Sequence, residues 1–313
     1  SGQASTTLTA SATLTVTGVT ASSTASNLLL RVLLAGEPLA SNRFTVIKVD
    51  TIQYRRDPSG TFEDLTDDTL LLKSQTVEFK AVITPDIDPF PTEAVQWTGT
   101  FGTTGAGETE SHAYSGAAST SDTDYKTVIA GNKTVNVVVT DKVLGIHSNA
   151  DPGGSILQPM HAWISLTDFS STPADLTTYG LWHTSVNPDQ NRRYSPDVDM
   201  YVDIESGWAP GHRRYYLLLP SQYASFQDWL DEDHDFAWGG TIIPPTYDCA
   251  SFASDTIATV IGEDVDADDI LGFETPREVS QSIDALEATD PTTVNNPAEG
   301  GGGSSGGSSW LWP

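Results

Sequence analysis

The stretch TYDCASFASDTIATVIG (246–262) places the chain's single cysteine, Cys249, at the opening of an amphipathic helix. Phe252, Ile257, Val260 and Ile261 recur at the spacing of one helical face, and Gly262 supplies the stop. A thiol in the first turn sits among unpaired backbone amides at the positive end of the helix dipole, which favours the thiolate. A histidine brought beside it would take the proton or stand as imidazolium. Upstream, HAWISLTD (161–168) puts His161 at the head of an apolar strand, and TTYGLWH (177–183) reads as the strand after it. The two candidates are far apart in sequence, so only tertiary structure brings them together.

Working outward, PSQYASFQDWLDED (220–233) carries Tyr223, Phe226, Trp229 and Leu230 at helical spacing, with Ser221 as the expected N-cap. TPREVSQSIDAL (275–286) is a third helix, capped by Thr275 with Pro276 at its first position. DMYVDI (199–204) and RRYYLLL (213–219) complete the strands. Residues 156–290 therefore read as an α+β domain, behind a turn-rich linker at 146–155 (HSNADPGGS, 147–155).

The first half differs in texture. TLLLKSQTVEFKAVI (69–83), AVQWTGTF (94–101), DYKTVIAG (124–131) and KTVNVVVTD (133–141) are short alternating segments between turn clusters, the pattern of a β-sandwich. Trp97 and Tyr125 are expected core anchors. With Trp97 on a central strand and a final NVVV strand, this module resembles bacterial immunoglobulin-like domains, here without the inter-sheet disulfide. It is assigned to 46–145. Residues 1–45 hold an alternating strand (TTLTASATLTVT, 6–17) and the run 27–36, and a further run, 43–54, crosses into the module. Residues 1–45 are read as a partial module or a strand-exchange segment.

The order HAWISL, then YGLW, then DCASFA resembles the circularly permuted papain-like cysteine hydrolases, relatives of the NlpC cell-wall peptidases and the lecithin:retinol acyltransferase-like proteins. The resemblance implies Cys249 as nucleophile, His161 as general base and the Cys249 amide as an oxyanion donor. Asp248 stands where relatives commonly carry Asn beside that donor. The residue orienting the imidazole is expected on the following strand, among Thr178, Tyr179 and His183. The implied chemistry needs no cofactor. The implied substrate is an amide or ester, with cell-wall peptide the favoured class.

Composition narrows the partners. The formal charge of −27, from 42 acidic and 15 basic residues, repels nucleic-acid backbones and anionic bilayers. The longest apolar run, at 28–34, is broken by Arg31 and is too short to insert in a membrane. Acidity and the immunoglobulin-like pattern point to a secreted, extracellular protein. The acidic runs 231–233 and 264–269 lack the spacing of a calcium loop and read as solvated faces; no metal site is expected. Residues 291–313 form a Gly/Ser-rich tail that ends WLWP. Trp310 and Trp312, with the N-terminal strand, are candidate handles for self-association. The alternative function is therefore an extracellular adhesive or filament-forming protein whose papain-like half is inactive.

Overall fold

The computed structural model describes residues 28–34, 37–44, 47–153, 160–183, 198–207, 211–232, 234, 248–268 and 274–295. The alternating segment at 6–17 and the tail with Trp310 and Trp312 lie outside the described residues.

Strands β1 (Leu28–Leu34) and β2 (Glu37–Phe44) pair as an antiparallel hairpin. The second run of the N-terminal region is thus split: 37–44 closes this hairpin, and a new strand starts at Lys48. Nine strands follow: β3 (Lys48–Arg55), β4 (Glu63–Asp64), β5 (Thr69–Leu72), β6 (Thr76–Thr84), β7 (Gln96–Thr98), β8 (Gly105–Ala106), β9 (Thr109–Ala113), β10 (Lys126–Ala130) and β11 (Lys133–Thr140). They form two sheets, ordered β4-β3-β6-β9 and β5-β11-β10-β7-β8. Period-two alternation makes this work: along β6, Val77, Phe79, Ala81 and Ile83 are buried while their neighbours are not.

Both sheets contribute to one apolar core that includes Ile52, Phe79, Trp97, Val128 and Val137. Trp97 is the anchor expected of it, 1% exposed, with its indole nitrogen donating to the Gly107 carbonyl at 2.9 Å. Tyr125 is not: it is 38% exposed. Its strand, β10, begins one residue later, at Lys126, so the pleat does not carry the ring inward.

The second half is built on a five-stranded antiparallel sheet, ordered β15-β14-β13-β12-β16. Its strands are β12 (Lys142–Ser148), β13 (Ala162–Asp168), β14 (Asp175–His183), β15 (Val198–Val202) and β16 (His212–Leu217). Strand β12 corrects the sequence-based boundary. Residues given to the sandwich and its linker instead form an interior strand of this sheet, pairing with β13 on one side and β16 on the other. The changeover falls at Asp141, and the turn-rich composition begins only after Ser148.

Three helices, α1 (Pro220–Asp231), α2 (Asp248–Val260) and α3 (Pro276–Thr289), share one core with this sheet. Ile146, Ile164 and Leu181 meet Phe226 of α1, Phe252 and Ile257 of α2, and Val279 and Ile283 of α3. The cap of α3 is as expected: the Thr275 side chain accepts from the Glu278 amide at 3.3 Å, with Pro276 at the first position. The cap of α1 is not Ser221 but Leu219, whose amide donates to the Gln222 side chain at 2.9 Å. The Ser221 hydroxyl instead donates to Asp122 at 2.6 Å, linking the helix to the first half.

No helix among the described residues is long and apolar enough to cross a membrane.

Candidate active site

Along β13, Ala162, Ile164 and Leu166 enter the helix-side core, so Trp163 and Ser165 point to the opposite face. By the same register, Thr178, Gly180 and Trp182 of β14 share that opposite face. Both faces are buried, and the second is lined by polar and aromatic groups: His147, Trp163, Ser165, Thr178 and Tyr215 are each 3% exposed or less.

His161 immediately precedes β13 and is 6% exposed. Its backbone is pinned to the end of β12: the His161 amide donates to Asn149 Oδ1 at 2.7 Å, and the Asn149 amide donates to the His161 carbonyl at 3.2 Å. The imidazole lies over the Trp182 ring, with centroids 4.2 Å apart, and nearly parallel to Trp163 at 6.0 Å.

The structure brings Cys249 to this imidazole. Cys249 is in the first turn of α2, 7% exposed, and the helix packs against β13 and β14. Its sulfur hydrogen-bonds the His161 ring. Burial alone disfavours the imidazolium, but interactions with Cys249 and with the Glu205 carboxylate outweigh it and raise His161 to about 9.

Glu205 is the residue that sequence reasoning missed. It stands in a short 3-10 turn, Ile204–Gly207, after β15. Its Oε1 lies 2.9 Å from His161 Nε2 and accepts from Trp182 Nε1 at 2.5 Å; its Oε2 accepts from Thr178 Oγ1 at 3.0 Å. Burial would raise its pKa, yet the His161 and Trp182 hydrogen bonds and the His161 charge lower it overall. With Nε2 committed to Glu205, Nδ1 is the ring nitrogen left for the thiol.

A local backbone device delivers this carboxylate. Asp203, with φ at 62°, adopts the left-handed conformation that Asp tolerates better than most residues. Its amide donates to the Thr178 carbonyl at 3.0 Å, and its Oδ1 accepts from the Thr178 amide at 3.1 Å. The turn thereby folds back over β14 at Gly180. A Cβ on Gly180 would come within 2.1 Å of Glu205 Oε1 and 2.8 Å of His161 Nε2. The glycine of the YGLW motif is therefore the space in which the pair meets.

The other candidates fall elsewhere. The Tyr179 ring is on the helix side, packed edge-on against Phe226 at 5.7 Å. His183 ends β14, paired with Val198, and its side chain lies outside the described residues. Asp248 is the first residue of α2, and its side chain likewise lies outside them. Thr178 does join the site, through Glu205 rather than through the imidazole. Among the described residues no cluster of three or more His, Cys, Asp or Glu could hold a metal ion. The only signal pointing to Glu205 was a carboxylate placed just after an apolar strand.

No family model, curated protein or solved structure matches this chain.

Proposed function

We propose that the protein is a secreted cysteine hydrolase of the permuted papain-like kind, acting on an amide or ester, with an immunoglobulin-like sandwich in front of the catalytic domain. The observation that carries this reading is the unbroken line Cys249–His161–Glu205, assembled from three separate elements in a shielded setting. Cys249 borders the helix-side core, yet its sulfur also hydrogen-bonds the imidazole, a contact that apolar packing alone does not require.

In the proposed reaction the Cys249 thiolate attacks the carbonyl carbon and forms a tetrahedral adduct. The oxyanion faces the Cys249 amide, which is among the first N–H groups of α2 and has no partner within the helix. His161 gives its Nδ1 proton to the departing amine or alcohol, leaving a thioester. It then takes a proton from water, which attacks the thioester, releases the carboxylic acid and restores the thiolate. Glu205 stays ionised throughout and compensates the imidazolium. Peptide substrates of the cell-wall type fit the same proposal.

Because Cys249 is the sole cysteine, iodoacetamide reports on it without ambiguity. The expected result is alkylation at pH 6 far faster than that of free cysteine, together with hydrolysis of a p-nitrophenyl ester that C249S and H161A abolish. A thiol that reacts only as fast as free cysteine overturns the proposal and leaves the adhesive scaffold as the better reading.

A further inference from the structure

The three side-chain donors on Glu205 exceed what orientation of an imidazole requires. Its carboxylate is wholly shielded from water, so its charge depends on hydrogen bonds from the protein alone. Among side chains His161 supplies one, and Trp182 and Thr178 supply the other two, beside the backbone amide of Glu205 itself. A proton shared between imidazole and carboxylate rests on the more basic partner. Every extra donor to the carboxylate stabilises its charged form and so lowers its claim on that proton. The indole of Trp182 acts on the other partner as well, since it lies over the imidazole, and the negative face of an aromatic ring favours a cation.

We infer that Trp182 and Thr178 are positioning residues that hold Glu205 as an anion and thereby keep the shared proton on His161 Nε2. This rests on the hydrolase reading, because a proton held there is what lets the imidazolium stand against the Cys249 thiolate. Without one of these donors the proton moves toward Glu205. The ring facing the sulfur is then neutral, and the thiolate loses its counter-charge. The titratable groups set against His161 are Cys249 from α2 and Glu205 from the 3-10 turn. His147 from β12 also stacks on Trp163, at 5.3 Å, and Asp203 precedes Glu205 in the turn.

The test is the pH profile of Cys249 alkylation by iodoacetamide in the full chain, for wild type, W182F and T178V. W182F keeps an aromatic ring over the imidazole and removes the N–H together with part of the indole's volume; T178V removes the hydroxyl at nearly constant volume. Each variant is expected to move the half-maximal pH upward by about one unit, which is about tenfold slower alkylation on the acid side. A purely structural role predicts a lower melting temperature with the profile unmoved. Should W182F fail to fold, T178V carries the test. Profiles of both variants that superimpose on wild type overturn the inference while leaving the hydrolase reading intact. A shift in one variant alone overturns the assignment for the other residue. A wild-type thiol no faster than free cysteine overturns both readings at once.

Discussion

At the scale of single residues, the site depends on an atom that is missing. Gly180 leaves the space in which Glu205 and His161 meet, and the nearest oxygen is pinned by donors that prevent it from backing away. G180A is therefore expected to displace the carboxylate rather than be absorbed. The cost of such overpacking is about 1–3 kcal/mol of stability. The sharper consequence is functional: the imidazolium loses its partner, and alkylation of Cys249 at pH 6 should fall at least about tenfold. Urea unfolding and the alkylation rate together check this. A variant that alkylates like wild type would mean that Glu205 does not depend on that space.

Cys249 and His161 were legible as candidates from residue type and local position: a sole thiol at a helix start and an imidazole at a strand head. Glu205 was not legible, because its role comes from a fold-back over β14 that only the left-handed Asp203 and the absent Gly180 side chain explain. Among the three strand residues offered as the orienting group, period-two geometry separates them once the register is known. Thr178 shares the face of Trp163, and Tyr179 necessarily takes the other.

At the scale of elements, the helices were the most readable part of the chain. Thr275 and Pro276 fix the start of α3, and the apolar stripe of α2 is the one that packs. What the sequence did not reveal is how α3 is tied to the sheet at its far end. Arg214 of β16, 1% exposed, sends its guanidinium to Glu263 at 2.9 Å, to Glu287 at 3.0 Å and to the Asp290 carbonyl at 2.6 Å. It thus joins an edge strand of the sheet to the C-terminal turn of α3 and to the segment after α2. Next to it in sequence, Arg213 looks equivalent, and only the pleat distinguishes them. Replacing Arg214 with Met keeps the volume but leaves these carboxylates without their cation. Because they are only partly buried, the expected loss is about 3 kcal/mol, at the low end for breaking a buried pair. Urea denaturation would read it. A loss below about 1 kcal/mol would place Arg214 with ordinary surface pairs.

At the scale of the whole molecule, the two halves are continuous rather than strung on a linker. Leu72 of the first half shares a small core with Val143 and Tyr215 of the second, and Gln75 donates to the Val294 carbonyl at 2.6 Å. The boundary was misjudged because β12 is largely apolar, like the sandwich strand before it, and follows that strand after a single residue. Its membership is decided by pairing partners that arrive later in the chain.

That same strand sets how the whole molecule responds to acid. His147 of β12 is 2% exposed, stacked on Trp163 at 5.3 Å and bonded through Nε2 to Ser165 Oγ at 2.7 Å. Burial, helped by the charge of Arg213, lowers its pKa to about 3, so the folded protein holds it neutral while the unfolded chain protonates it below its ordinary 6.5. A depressed base binds fewer protons in the folded state, and stability therefore falls as the pH falls from 6.5 toward 3. The neighbouring charges do not obscure this. His161 is shifted the opposite way, so its contribution is intact below 6.5 and is lost only as the pH climbs through about 9. Glu205 is lowered, so its contribution is lost only below its ordinary 4.5. Between pH 6.5 and 5 the slope due to His147 should cost about 2 kcal/mol. Burial raises the Asp255 and Glu274 carboxyls, which act in the opposite sense, so the comparison with a variant lacking the imidazole isolates its share. H147F retains a ring against Trp163 and forfeits the Ser165 bond, so it starts less stable at pH 7 but should lose that slope. Urea unfolding of both proteins at pH 7, 6 and 5 decides the matter. Parallel losses would mean that the acid sensitivity comes from the chain's carboxylates and not from this buried imidazole.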